Sequence, residues 1–169
     1  VAAISEDGVA WSGNVDGPVT GHPIAANGLV YFSYGPDPDG KGGIAAFDID
    51  NGRRKWVTPF GPGVSAPCAL GDLLIVPSRG GDLVALDPVH GGTRWRSPIP
   101  ALVSIKPAIV NDAIYVGDGL GAVQRYNMSD GGSVWSTELG SAITGDPVVS
   151  GSMLIVGTAD GRLIGLSER

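Results

Sequence analysis

Short apolar segments recur along the chain about every forty residues, and turn-forming residues flank each one. Asn27-Gly28 precedes the first of them, and Gly71-Asp72 precedes the second. The four segments read LVYF, LLIV, AIYV and MLIV, at residues 29–32, 73–76, 113–116 and 153–156. Their length and their β-branched or aromatic content are typical of strands buried on both faces. The pattern therefore predicts short strands and gives almost no support for helix.

Each repeat contains three other segments besides the apolar one. One precedes the apolar strand and two follow it. A β-branched residue with Ser or Thr and then Pro comes before it, at residues 19–23, 64–67, 103–107 and 143–147. A strand tolerates Pro only where its missing N–H is not needed by the ladder, so these positions predict an irregular inner strand. A third strand follows, at residues 44–47, 83–86, 123–126 and 163–166. A short fourth strand ending in Trp completes each unit, at Trp11, Trp56, Trp95 and Trp135.

The connection between the third and fourth strands has the most regular sequence. Its first full copy places Asp48, Gly52 and Trp56 at fixed offsets. The second copy has Asp87, Gly91 and Trp95, and the third has Asn127, Gly131 and Trp135. Each Gly can supply a positive φ, and each Asp can accept the backbone N–H groups just beyond it. We expect each indole to fill the wedge between neighbouring sheets, with Ala46 and Ala85 leaving room for it.

Four-stranded antiparallel sheets repeated at this period pack around an axis as propeller blades. The sequence therefore predicts an all-β fold, a β-propeller of four-stranded antiparallel blades, with about four blades in this chain and possibly half of an eight-bladed ring. Residues 1–169 form one propeller segment in this interpretation. It divides into a partial blade at 1–13, blades at 14–58, 59–98 and 99–138, and a partial blade at 139–169 that a terminal strand completes.

Ring closure has three possible solutions. The chain can close on itself as four blades, two chains can form eight blades, or the chain can be half of a ring whose remainder is another chain segment. Propellers commonly close by sharing one blade between their two termini, which removes open sheet edges. We favour the eight-bladed ring, from a homodimer or a longer parent.

The motif Ala-x-Asp-x-x-x-Gly-x-x-x-Trp resembles the tryptophan-docking repeat of the quinoprotein alcohol dehydrogenases and their PQQ-like relatives. The best match, residues 46–56, has Asn51 where that family often has Thr. The resemblance covers nearly the whole chain and implies a PQQ-like propeller. It is closest to the non-catalytic branch, the scaffold lipoproteins of outer-membrane barrel assembly and the sensor domains of bacterial kinases. These relatives imply an extracytoplasmic location.

Enzymes of this family bind PQQ and Ca²⁺, but the sequence does not favour either group. Cys68 is the only cysteine, which excludes a vicinal pair, and the repeat already uses all four Trp. An acidic turn at Asp37 and Asp39 is a surface loop rather than a metal site by our interpretation. We expect no cofactor, no metal and no catalytic residue, and a binding module that serves as a protein scaffold or a ligand sensor. The alternative is a segment of a PQQ-dependent dehydrogenase whose cofactor residues lie elsewhere.

Charge and hydropathy restrict the classes of binding partner that the sequence favours. The net charge of −6 argues against nucleic acid, and no apolar run reaches the length of a membrane span. The residue before the repeated Pro varies among the four copies, as His22, Ala66, Lys106 and Asp146. Packing does not demand uniformity there, so we predict that His22, Lys106 and Asp146 line a rim that binds a protein partner or small ligand. The alternative is that they are solvated turn residues.

Overall fold

The structure is a computed structural model that describes residues 1–6, 8–100, 105–151 and 153–167. In these ranges the chain forms seventeen strands in five antiparallel sheets and no helix. The prediction of an all-β chain built from repeated small sheets is confirmed. Val103 and Ser104 of the predicted inner strand and Ser152 of a predicted turn lie outside the described residues.

Each sheet is a simple meander of consecutive strands. The first hairpin consists of β1 (Ala2–Ser5) and β2 (Gly8–Ser12). Blade one contains β3 (Val19–Ala26), β4 (Leu29–Tyr34), β5 (Gly43–Asp48) and β6 (Arg54–Pro59). Blade two contains β7 (Cys68–Leu70), β8 (Leu73–Ser78), β9 (Asp82–Leu86) and β10 (Thr93–Pro98). Blade three contains β11 (Ala108–Val110), β12 (Ala113–Gly117), β13 (Ala122–Asn127) and β14 (Ser133–Glu138). The last sheet contains β15 (Val148–Ser150), β16 (Met153–Gly157) and β17 (Leu163–Ser167).

The core lies between the sheets. Blade one packs on blade two through Tyr31 and Ile44 on one side and Leu74 and Val84 on the other. A second cluster joins blade two to blade three and the last sheet. The inner strands contact each other in the order β3, β7, β11, β15. The sheets therefore stand side by side around an axis, as the propeller architecture requires.

The apolar second strands are buried as expected in the three full blades but not in the last sheet. All six residues of β8 and all five of β12 are buried. In β16 Met153 is 46% exposed while Leu154 and Val156 are buried. The face of β16 that carries Met153 and Ile155 is exposed or half-buried, because no further described sheet packs on it.

The fourth strands extend beyond the tryptophans that were expected to end them. Trp56, Trp95 and Trp135 each occupy the third position of a six-residue strand. Pairing with the third strand continues past the indole, for example from Pro98 to Asp82. The tryptophans are half-buried rather than fully buried, because the outermost strand lies at the periphery of the sheet.

The two ends of the chain do not share a sheet. The first hairpin and the last sheet are separate, and within the described ranges β17 pairs only with β16. Among the described residues, the two ends of the chain therefore do not complete a common blade. The first residues form a hairpin in which β1 pairs with β2. The arc contains three full blades between two partial sheets.

Candidate functional site

Each docked tryptophan contacts the turn of the following sheet. The indole Nε1 of Trp11 donates to the carbonyl oxygen of Ile49 at 2.9 Å. Trp56 donates to Pro88 and Trp95 to Met128, each at 3.0 Å. The acceptor always follows the repeated Asp or Asn by one residue. Blade n is therefore tied to blade n+1 by the same hydrogen bond in three successive interfaces.

The repeated glycines lie directly under these indoles. Gly91 has a φ of 73°, and a Cβ added there would lie 2.6 Å from Cδ2 of Trp56. A Cβ added at Gly52 or Gly131 would lie 2.5 Å from Cε3 of the indole docked there. Glycine is thus needed at each turn for two reasons. It adopts the positive φ, and its missing side chain leaves space for the indole.

The repeated aspartates stabilise the same turns by accepting hydrogen bonds from backbone N–H groups of the turn. Oδ1 of Asp87 accepts the backbone N–H groups of Val89 and His90, both at 2.9 Å. The His90 N–H and the Arg94 guanidinium lower the pKa of Asp87 to about 2. Asp48 has the same arrangement with Lys55, whose side chain lowers the pKa of that carboxyl. The third copy has Asn127, and Val134 stands in the position of the cation, so carboxylate and cation are lost together.

The variable residues before the repeated prolines lie at one end of the inner strands. Pro67, Pro107 and Pro147 each immediately precede an inner strand, and Pro23 lies within the bulge of β3. Because each inner strand begins there, this end also carries the loops between second and third strands. The turns that hold the indoles lie at the opposite end.

Of the three predicted rim residues, the structure brings two together. The backbone N–H of Lys106 donates to Oδ1 of Asp146 at 2.8 Å, across the boundary between blade three and the last sheet. Asp146 is exposed and Lys106 is half-buried. Within the described residues, the Asp146 carboxylate therefore both links two sheets and faces solvent. The Lys106 side chain brings a positive charge to the same cavity.

These two residues border an open cavity of about 440 Å³ on the inner strands. Its remaining wall is apolar and includes Cys68, Ile109 and Val148. Burial raises the pKa of the Cys68 thiol to about 12, an effect that the nearby Lys106 charge partly offsets. The thiol is therefore neutral and serves as part of the wall. The cavity combines one cation, one anion and an apolar floor, which suits a peptide or a small polar ligand.

His22 does not reach this cavity. It is exposed in the bulge of β3, next to Gly21, whose Cα faces Ala66 of blade two. Its position along the arc is therefore two blades before Lys106. The three residues occupy equivalent positions before the repeated prolines, but only Lys106 and Asp146 border the same cavity.

A buried polar network in blade three was missed by the sequence interpretation. Asp118 is 2% exposed, and its Oδ1 accepts three backbone N–H groups, from residues 120, 121 and 122. Its Oδ2 accepts Gln124 Nε2 at 3.3 Å, and Gln124 in turn accepts the Tyr126 hydroxyl. Burial, and then the Asp118 charge, raise the pKa of Tyr126. The signal was the Asp inside the Gly-rich turn at 117–121, and its role is to close that turn.

No metal centre is found in the described ranges, where no three His, Cys, Asp or Glu residues are grouped to hold an ion. Oδ1 of Asp37 instead accepts the N–H groups of Asp39 and Lys41, which makes this segment a closed surface turn. No helix among the described residues is long and apolar enough to cross a membrane.

Comparison with known proteins identifies the family. A family model described as outer membrane protein assembly factor BamB matches residues 1–104 and 100–169. The BamB of Moranella endobia is 27% identical over 143 residues, which cover 83% of this chain and 35% of that protein. The BamB of Bordetella pertussis is 26% identical over 165 residues, or 94% of this chain and 42% of the relative. This chain therefore spans well under half the length of these relatives.

A solved structure gives the same fold. The crystal structure of BamB from Moraxella catarrhalis has a TM-score of 0.80 and 23% identity, covering 97% of this chain and 51% of that one. The family match and this neighbour confirm the predicted PQQ-like propeller, and the relatives it resembles are named for assembly. The location expected outside the cytoplasm agrees with that name. By the match of the family model along its whole length, the chain belongs to the family of the outer membrane protein assembly factor BamB.

Proposed function

We propose that this chain is the protein-binding part of an outer-membrane protein assembly factor, and that it binds its partner through the rim formed by Lys106 and Asp146. The family supports the general role, since its relatives are named as assembly factors. The observation that supports this binding site is the open cavity at these two residues, about 440 Å³ in volume.

Three properties of this rim suit a protein partner. The residues before the prolines differ among the blades, whereas the positions that hold the fold together are repeated. Val148 offers an apolar contact there, because 60% of its surface is exposed. One positive and one negative side chain beside an apolar wall give orientation as well as contact area. His22 extends the same rim toward the start of the arc and serves as a secondary contact.

The test measures binding to the outer-membrane assembly machinery, purified without its own factor of this family. We expect the triple variant His22→Ala, Lys106→Ala and Asp146→Ala to lose at least tenfold in affinity by biolayer interferometry. Asp50→Ala is the matched control, because Asp50 is an exposed carboxylate in a turn at the opposite end of the blades. Equal affinity of the triple variant and the wild type would refute the rim.

We further propose that the arc is half of a larger ring, completed by a second copy or by further repeats of a longer chain. Apolar residues at both ends of the arc support this, since Ile4 and Leu163 are each 82% exposed. Light scattering at several concentrations tests the homodimer, which would have twice the chain mass of 17.2 kDa. A monomer at every concentration would exclude the dimer and leave the longer chain.

A further inference from the structure

The chain contains two Asn-Gly pairs, Asn27-Gly28 and Asn51-Gly52. In such a pair the backbone nitrogen of Gly can attack the side-chain carbonyl carbon of Asn, because Gly has no side chain that hinders the close approach. The product of this attack is a five-membered succinimide ring. Both pairs have the same chemistry, so their surroundings in the fold decide where the reaction takes place.

The surroundings of Asn27 leave this reaction open. Asn27 is exposed and forms, with Gly28, the two-residue turn between β3 and β4. The φ values of 55° and 72° are those of the turn that Asn-Gly pairs favour in hairpins. Among the described residues no carbonyl accepts the Gly28 N–H. No atom lies within 4 Å of a Cβ added at Gly28. The attacking nitrogen is therefore accessible.

Asn51 has the opposite surroundings. The N–H of Gly52 donates to the carbonyl of Asp48 at 3.0 Å. Oδ1 of Asn51 accepts the N–H of Arg53, also at 3.0 Å. Gly52 lies under the docked indole of Trp11, where an added Cβ would be 2.5 Å from the ring. The nitrogen and the side chain that would have to react are therefore both fixed by the turn.

The amide of Asn27 joins two blades. Its Nδ2 donates to the carbonyl of Gly71 at 3.0 Å, which connects the first turn of blade one to the equivalent turn of blade two. A carboxylate in this place has no hydrogen to donate, and its charged oxygen would face the carbonyl oxygen of Gly71. An isoaspartate would also lengthen the backbone of a two-residue turn by one methylene group. Loss of the amide therefore removes a contact between blades.

We propose that Asn27 is a site of spontaneous deamidation, which weakens the contact between blade one and blade two as the protein ages. The Gly28 nitrogen gives its proton to solvent and bonds to Cγ of Asn27, and the side-chain nitrogen leaves as ammonia. Water then opens the succinimide at either of its carbonyl groups, which leaves aspartate or isoaspartate in the chain. The inference is independent of the rim at Lys106 and Asp146, because the turn between β3 and β4 lies at the opposite end of the blades.

The test incubates the wild-type protein at pH 8 and follows both asparagines by tryptic peptide mapping with mass spectrometry. Cleavage after Lys41 places them in separate peptides. We expect Asn27 to convert at least fivefold faster than Asn51 in the native protein, whereas in urea, where both pairs are exposed, the two rates should agree within threefold. Fragment spectra that identify isoaspartate at residue 27 distinguish the succinimide route from direct hydrolysis of the amide.

Three variants complete the test. Gly28→Ala should slow the conversion of Asn27 at least fivefold and leave Asn51 unchanged, because the added methyl group hinders the attacking nitrogen. Asn27→Asp carries one product from the start and should unfold at a lower urea concentration than the wild type. Asn14→Asp is its matched control, since it adds the same charge at another exposed asparagine, and it should leave the midpoint unchanged.

Two results would overturn the proposal. One is a rate at Asn27 less than fivefold that of Asn51 in the native protein, since the two turns would then protect their asparagines alike. The other is an equal urea midpoint for Asn27→Asp and Asn14→Asp, since loss of the amide would then not weaken the contact between blades. The rate comparison uses the wild-type protein, so it decides the site even if a variant fails to fold.

Discussion

Replacing Gly91 with alanine tests whether the indole docks hold neighbouring blades together. The added methyl group would lie 2.6 Å from Cδ2 of Trp56 and 2.8 Å from Oγ1 of Thr58. Neither contact is tolerable, so the indole must leave its place. The hydrogen bonds from Trp56 to Pro88 and from Thr58 to Gly91 would be lost together.

The magnitude follows from three contributions. A non-glycine residue at this positive φ costs about 1–2 kcal/mol in any context. The two lost hydrogen bonds add about 0.5–1.5 kcal/mol each. Displacing the ring also weakens its tilted contact with Tyr31, an aromatic pair with a 5.8 Å centroid separation that contributes about 0.5–1.5 kcal/mol. We expect a total loss of about 2.5–6.5 kcal/mol.

Gly28→Ala is the matched control. Its φ of 72° nearly equals the 73° of Gly91, and no atom lies within 4 Å of its added Cβ. That variant should therefore lose only the backbone contribution of about 1–2 kcal/mol. Urea unfolding followed by circular dichroism measures both variants. Equal losses at the two glycines would refute the docking interpretation.

Three further predictions concern single side chains. Trp95→Ala should lower the free energy of unfolding in urea by about 2–3 kcal/mol, less than a fully buried indole would, because Trp95 is half-buried; a loss below 0.5 kcal/mol would contradict it. Cys68, with a pKa of about 12, should react with a thiol reagent at pH 8 far more slowly in the native protein than in urea, and equal rates would contradict its burial. Asp87→Asn should lower the Tm most above pH 5, and the difference from wild type should shrink as the pH falls toward the native pKa of about 2. The sign follows because a carboxyl with a lowered native pKa stabilises the fold only while it is ionised, and a difference that is constant with pH would contradict it.

The repeat made the fold predictable from sequence because its parts are local. The apolar runs at 29–32 and 73–76 lie within β4 and β8, and the proline positions mark the inner strands. Turn glycines such as Gly52 were recognisable because few other residues adopt a φ of 69°. Each of these features depends on a short stretch of chain, and each returns in three or four copies.

The remaining features depend on contacts between blades, which a periodic pattern does not encode. The hydrogen bond from Lys106 to Asp146 spans forty residues and joins two sheets. Lys106 and His22 are separated because the blades stand side by side along an arc. Equivalent positions in non-adjacent blades therefore do not come into contact. The buried position of Asp118 likewise depends on the turn that folds around it.

The direction of the docking contacts has a consequence for how such proteins change length. The indole always comes from the earlier repeat and its turn from the later one, as for Trp56 and Gly91. Every interface between blades is therefore asymmetric, with an indole on one side and a glycine turn on the other. Gain or loss of one whole repeat preserves this polarity. A change of any other length leaves an indole without a glycine turn, or a glycine turn without an indole. Lineages of this architecture should accordingly grow and shrink by duplication or deletion of complete repeats.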